Sequence, residues 1–233
     1  MSRIEQNLQA VRRSIAQAAV EAQRPPESVT LLAVSKTFGH DAVLAAAAAG
    51  QTAFGENYLQ EALDKIAAVK LALPQAALEW HFIGPIQSNK TRPIAEHFDW
   101  VHTVEREKIA ARLSEQRPAG LPDLNICLQV NISGEASKSG VSPEELPALA
   151  RAVAQLPKLR LRGLMAIPEP QTDPALQRAA FAQLRSLYEQ LHADGLALDT
   201  LSMGMSSDLQ AAVLEGATIV RVGSAIFGSR NYS

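Results

Sequence analysis

The sequence predicts an α/β fold, a single (β/α)8 TIM-type barrel spanning residues 1–233. Three observations predict it. Eight short apolar runs alternate with helical patterns along the chain. Several runs, VTLLAVS and TIVRVGSAIF among them, are apolar on successive residues, as strands buried on both faces of a parallel sheet are. The length, 233 residues, suits one barrel. No GxGxxG or GxxxxGKS sequence follows any run, which argues against an open nucleotide-binding sheet.

The elements follow in order. Ile4, Leu8, Val11 and Ile15 recur at helical spacing, and Pro25 stops that segment. Strands are expected over 29–36, 52–56, 79–84, 100–104, 124–132, 159–167, 200–205 and 218–227. Between them, Leu59, Leu63 and Ile66 share a helical face. So do Leu146, Leu149, Val153 and Leu156, and again Leu176, Ala180, Leu184, Leu187 and Leu191. The chain stops at Ser233, too soon after the last strand for a full eighth helix. The N-terminal helix is expected to fill that gap in the outer ring.

Composition narrows the function. Hydrophobic residues are 47% and charged residues 20%, the profile of a folded domain rather than a disordered chain. With 22 basic and 24 acidic residues the net charge is −2, without the basic excess of a nucleic-acid or anionic-membrane binder. Cys127 is the single cysteine, so no intrachain disulfide can form. MSRIEQNLQAVRR has no apolar stretch behind its charges, and the uncharged run 42–55 is too short to span a bilayer. A soluble cytoplasmic protein is expected. The five histidines and Cys127 show no metal-ligand spacing.

Barrel enzymes and binders place their chemistry where strands end at the C-terminal rim. The first strand ends in Ser35-Lys36-Thr37. A lysine there can present its amine to the mouth, where a neutral amine attacks an aldehyde, or can snorkel to solvent. After the seventh strand, LSMGMSSD brings Ser206, Ser207 and Asp208 to a helix start. After the eighth, VRVGSAIFG supplies Gly223 and Ser224. These two loops are where barrels often hold phosphate, although Ser206 could be only a helix cap and Gly223 only a packing glycine. Arg221 sits inside an apolar strand and needs a partner. That partner could be a barrel carboxylate such as Glu56, or a ligand acceptor. Together these residues suggest pyridoxal 5′-phosphate, with Lys36 forming the Schiff base, the last two loops holding phosphate and Arg221 facing the pyridine nitrogen. A guanidinium does not give that nitrogen a proton, which would leave the ring a weaker electron sink.

The segments AVSKT, FGENYLQEALDK, EWHFIGPIQSNK, VNISGEASKSG, LRGLMAIP, LSMGMSSD and VRVGSAIFG resemble the YggS/PROSC family of pyridoxal phosphate-binding proteins over nearly the whole chain. The resemblance implies a barrel similar to the N-terminal domain of alanine racemase. It also implies a role in pyridoxal phosphate homeostasis: binding, buffering and, by extension, delivery to pyridoxal-phosphate-dependent apo-enzymes, with no established catalytic activity. By the same resemblance Lys36 matches the Schiff-base lysine, Ser206 the phosphate-contacting serine and Arg221 the arginine near the ring nitrogen. Gly223 and Ser224 match the phosphate-binding pair, where many relatives carry threonine at the second position. Asn57, His81, Met165 and Met205 fall in the pocket-lining motifs.

The alternative is a pyridoxal-phosphate-dependent amino-acid racemase. Racemisation needs a base on each face of the α-carbon. Lys36 could serve one face. In alanine racemase the other is a tyrosine from a partner's additional region, and among Tyr58, Tyr188 and Tyr232 only Tyr58 follows a strand. Without that region a monomer is expected. Lys138, in a loop after the fifth strand, could be a second amine that captures or passes on the aldehyde or a solvated loop lysine, and Lys90 could add positive potential near the phosphate or be a surface charge.

Overall fold

A computed structural model of the chain describes residues 1–136 and 138–229. The elements run α1 (Arg3–Glu21), β1 (Thr30–Val34), α2 (His40–Ala48), β2 (Ala53–Glu56), α3 (Leu59–Ala72), β3 (Glu79–Phe82), α4 (Thr91–His97), β4 (Trp100–Val104) and α5 (Glu107–Gln116). They continue with β5 (Leu124–Gln129), α6 (Leu146–Ala154), β6 (Leu159–Met165), α7 (Pro174–Ala193), β7 (Thr200–Ser202), α8 (Leu209–Leu214), β8 (Ile219–Val222) and α9 (Ser224–Phe227). Among the described residues the eight strands are parallel and close in sequence order, β8 pairing with β1. The expected barrel is the fold.

Two apolar layers follow from strand alternation. Leu31 and Ala33 of β1, Phe54 of β2 and Phe82 of β3 face outward into the large cluster beneath the helices. Leu32, Ala53, Trp100, Cys127, Met165 and Ile219 form a second cluster, which their alternation with the first set places inside the barrel. At its N-terminal end Arg162 lies over the Trp100 ring, 4.5 Å from the centroid, and pairs with Asp199 at 2.9 Å.

The N-terminal helix fills the outer ring as expected. Ser2 caps α1 by accepting from the Glu5 N–H, and Leu8, Val11, Ile15, Ala18 and Ala19 are its buried face. It packs on α2, α8 and α9. Asn7 donates to the Ile226 carbonyl at 2.8 Å, and Arg24 donates to the carbonyls of Val213 and Ala217.

The strands stop earlier than their apolar runs. β8 ends at Val222, not residue 227, and the chain turns at Gly223 into α9, where Phe227 stacks near Phe38. β7 ends at Ser202, because Gly204 takes φ +100° and packs so close to Ala212 that a Cβ would collide. β1, β3, β5 and β6 likewise end short of residues 36, 84, 132 and 167, because apolar residues carry on into the loops at the mouth. α3 is also turned from its expected face, burying Ala62, Lys65, Ile66 and Val69 while Leu63 is half-buried. On α7 the buried residues are Phe181, Leu184 and Leu191, and Leu176 is exposed. The helices α2, α4, α5 and α8 carry apolar patterns too short or too alanine-rich to separate from loops by periodicity.

Gly163 is the tightest point of the sheet. A Cβ there would overlap the Thr200 carbonyl of the neighbouring strand, in the stretch where β6 pairs with β7. Gly163→Ala is expected to destabilise the fold by roughly 3 kcal/mol, a fall of about 10 °C in Tm. Gly120→Ala, which meets nothing within 4 Å, should leave Tm unchanged. Equal melting of the two variants would show that β7 can move away without cost.

Candidate functional site

Strand order brings most of the candidate residues to one arc of the rim. Met165 ends β6, Met205 and Ser206 follow β7, Arg221 lies in β8 with Gly223 and Ser224 behind it, Lys36 follows β1 and Asn57 follows β2. These five strands are consecutive neighbours in the closed sheet. Register makes the junction of β8 and β1 closest: Ala33 is paired with Val222, and a Cβ on Gly223 would lie 3.2 Å from the Val34 carbonyl oxygen. The exits carrying Lys36 and Gly223-Ser224 therefore lie side by side. His81 lies on β3, the next strand after β2, and is buried in the barrel interior.

Lys36 is half-buried in the turn directly after β1. Both loop serines are exposed. Ser206 is not the cap of α8. Asp208 occupies the N-cap position, and its carboxylate accepts from the Met205 N–H at 2.7 Å, which shapes the loop presenting Ser206. Ser206 and Ser207 also border a cavity of about 710 Å³ that opens outside the barrel toward α1 and α7. A second cavity of about 190 Å³ is bordered by Asn57, Ile83, Gln129 and Ile167 at the strand ends. Of the candidate residues it touches only Asn57; Lys36, Arg221, Gly223 and Ser224 do not border it. Asn57 contributes a buried Oδ1 without a hydrogen-bond partner among the described residues.

Arg221 is buried inside the barrel. Its Nη1 donates to Ser202 Oγ at 2.8 Å and its Nη2 to the Ala166 carbonyl at 3.1 Å. Glu56 is not its partner: Glu56 lies on the outer side of β2 and binds Lys65 and Ser35 instead. No carboxylate pairs directly with Arg221 among the described residues. Burial brings its pKa down to about 10, with Asp208 acting against the fall, so it stays cationic at neutral pH. The fork has further N–H groups for which no hydrogen bond is seen among the described residues.

A polar chain crosses the interior from this arginine. Ser202 Oγ is 2.7 Å from His102 Nδ1, and His102 Nε2 is 2.9 Å from His81 Nδ1. The His81 ring stacks on Trp100 at 5.2 Å, and its Nε2 is buried without a partner among the described residues. Burial drives the His81 pKa down to about 3. His102 is held well below its ordinary value by burial, then by His81 and Arg221. Two neutral imidazoles can share the contact between them, one donating and one accepting, whereas two imidazolium ions cannot. Burial also pushes the Cys127 thiol up to about 12, leaving it without thiolate character.

The sequence reading missed His102, Ser202 and Lys65. The first two were legible as polar residues at inward positions of apolar runs, WVHTV and TLS. Lys65 carried no signal, because its helix appeared to bury Leu63. Met165 is buried in the interior cluster, while Met205 is 41% exposed. Lys138 is half-buried with Nζ 3.8 Å from Glu135, and Lys90 is exposed at the end of a 3-10 turn before α4. Tyr58 is exposed just before α3, the Tyr188 hydroxyl donates to the Leu198 carbonyl, and Tyr232 lies outside the described residues.

Comparison with known proteins bears on this arrangement. The alanine racemase N-terminal domain matches residues 4–231. A Pseudomonas aeruginosa protein named pyridoxal phosphate homeostasis protein is 66% identical over 232 residues, covering 100% of this chain and 98% of the relative. A protein of the same name from Escherichia coli (strain K12) is 53% identical over 233 residues, covering 100% and 99%. Among solved structures, PipY of Synechococcus elongatus PCC7942 with pyridoxal phosphate bound superposes with a TM-score of 0.79. It is 41% identical and covers 92% of this chain and 100% of that one. Alanine racemase from Corynebacterium glutamicum, at 20% identity and TM-score 0.71 over 97% of this chain and 60% of that one, shares the fold.

The neutral histidines make stability depend on pH. Unfolded, each ring takes a proton near pH 6.5; folded, His81 resists protonation down to about 3. Below 6.5 the unfolded chain binds more protons, so this contribution is complete above that pH and is lost on acidification. Its slope is about 1.4 kcal/mol per pH unit for each such ring. Urea unfolding of His81→Gln at pH 7, 6, 5 and 4 should show a shallower acid slope than the parent. Parallel curves would mean that the His81 ring titrates alike in both states.

Proposed function

We propose, for a chain that belongs to the family of the alanine racemase N-terminal domain, that it binds pyridoxal 5′-phosphate at the barrel mouth and serves the homeostasis of that cofactor. The observation that carries the reading is the junction of β8 and β1. A buried cation with uncommitted donors, Arg221, lies on the strand beside the one that delivers Lys36. The names of the high-identity relatives and the pyridoxal phosphate in PipY support the same ligand.

The residues present fit such a group. Lys36 Nζ is the covalent anchor for its aldehyde carbon. Gly223 keeps the backbone at the β8 exit clear, and the Ser206 and Ser224 hydroxyls, with the N–H groups around them, receive the phosphate. Arg221 faces the ring nitrogen and, remaining a cation, donates to it without transferring a proton. Asn57 and His81, each with a buried atom awaiting a partner, line the pocket with Met165 and Met205. When bound, the cofactor supplies an electrophilic carbonyl carbon and an electron-accepting ring. An arginine at the ring nitrogen weakens the second property and leaves the first intact. That combination suits holding and releasing the cofactor better than sustaining carbanion chemistry.

The reading takes the protein to be a cytoplasmic monomer that can pass the cofactor to apo-enzymes. Among the described residues, no helix is long and apolar enough to cross a membrane. The racemase alternative needs a second base at the mouth, for which Tyr58, 51% exposed at the β2 exit, is the available tyrosine among the described residues.

Borohydride reduction of the protein loaded with pyridoxal phosphate, followed by peptide mass mapping, tests the reading. A phosphopyridoxyl group is expected on Lys36 and is expected to vanish in Lys36→Ala. Modification of Lys138 alone would move the site to the loop after β5, and no modification would end the cofactor reading. Replacing Ser206 and Ser224 together by alanine should weaken pyridoxal phosphate binding while leaving pyridoxal binding unchanged. Loaded protein incubated with L-alanine should yield no D-alanine; its appearance would favour the racemase.

A further inference from the structure

Lys65 is the least expected residue in the fold. It is a lysine with 3% of its side chain exposed, and its Nζ is 2.6 Å from Oε1 of the fully buried Glu56. A buried ion pair of this kind usually stabilises a fold no more than a packed apolar pair would. Its effect must be sought in what else it binds. Lys65 Nζ also donates to the Ser35 carbonyl at 2.8 Å and to Glu61 Oε1 at 3.0 Å. Glu56 accepts from the Ser35 hydroxyl at 2.6 Å, and Glu61 accepts from the Thr37 backbone N–H at 2.6 Å. Burial pushes the Glu56 carboxyl up, while Lys65 and Ser35 draw it back.

Both chain neighbours of Lys36 are therefore tied to one ionic cluster. The sheet does not do this work. The β1 ladder ends at Val34, and the Ser35 N–H to Gly55 bond extends it by one residue. Beyond that point Thr37 sits at φ +68°, a left-handed conformation that a β-branched residue adopts only when its surroundings impose it. The bond from its N–H to Glu61 is what the structure offers to impose it. The turn is closed by Phe38 N–H to the same Ser35 carbonyl that Lys65 binds.

We infer that Glu61 and the buried Glu56–Lys65 pair are positioning residues for Lys36, fixing the turn on both sides of it so that its amine is presented at the barrel mouth. This rests on the assignment of Lys36 as the covalent anchor. α3 thereby sets the geometry of a group on β1 without touching the ligand. Glu61, a third exposed, is the member that can be changed without leaving a buried charge unpaired.

The test compares two probes on the full chain: the rate at which borohydride traps pyridoxal phosphate on Lys36, and the affinity for 4′-deoxypyridoxine 5′-phosphate, which has the ring and phosphate but no aldehyde. In Glu61→Ala, loss of a charge-assisted hydrogen bond should slow trapping about tenfold, with analogue affinity and Tm little changed. Glu61→Gln, which keeps an acceptor oxygen for Thr37, should recover most of the rate, and Lys65→Met should slow trapping further. Unchanged trapping in Glu61→Ala would overturn the inference, as would equal losses of trapping and analogue binding, since a merely structural role lowers both. Lys36→Ala separates the two claims. If it still traps at the parent rate, the anchor assignment fails and the inference with it. If it is silent while Glu61→Ala traps normally, the inference alone fails.

Discussion

The pairing of β8 with β1 is the contact on which the rest of the arrangement depends. A parallel barrel has no free edge only when its last strand finds its first. Here that seam also decides what the mouth can bind. It sets the Gly223 backbone against Val34 and puts the exits of the two strands within one strand spacing. Lys36 comes from one end of the chain and Gly223-Ser224 from the other, and only the pairing of the two strands brings them together.

Closure creates a second demand, because the interior must be filled. An apolar set around Trp100, Cys127 and Met165 fills part of it. Among these residues runs the chain His81–His102–Ser202–Arg221, contributed by four strands, with His81 level with Trp100 and Ser202 level with Met165. Such a chain is costly if left partly unsatisfied and rigid when complete. Neutral imidazoles keep it to a single buried positive charge, at its Arg221 end.

Sequence reading located the barrel because the pattern of buried strands is global, repeated eight times. It singled out Lys36, Arg221 and Gly223-Ser224 as candidates because each interrupts or ends an apolar run. It overran the strand ends because residues such as Ile167 and Phe227 stay apolar after leaving the ladder, where they pack or line the mouth. It also misjudged partners. Glu56 was a plausible mate for Arg221 by composition, but strand alternation sends the two side chains to opposite faces of the wall. Lys65 was illegible for a different reason. Whether a lysine on an amphipathic helix faces solvent or core depends here on a carboxylate nine residues away being buried, and no local pattern carries that information.

α1 has a consequence for how the molecule comes into being. It is made before every strand of the barrel, yet its surface is completed by α8 and α9, and its Asn7 bonds to Ile226, 219 positions later. An amphipathic face made early and covered late spends most of synthesis exposed to whatever is nearby. Contacts of such separation also slow folding, because the loop they close is nearly the whole chain. The same closure that builds the mouth leaves the nascent polypeptide without a finished half: until the final strand emerges, there is a curved open sheet with a helix waiting beside its gap.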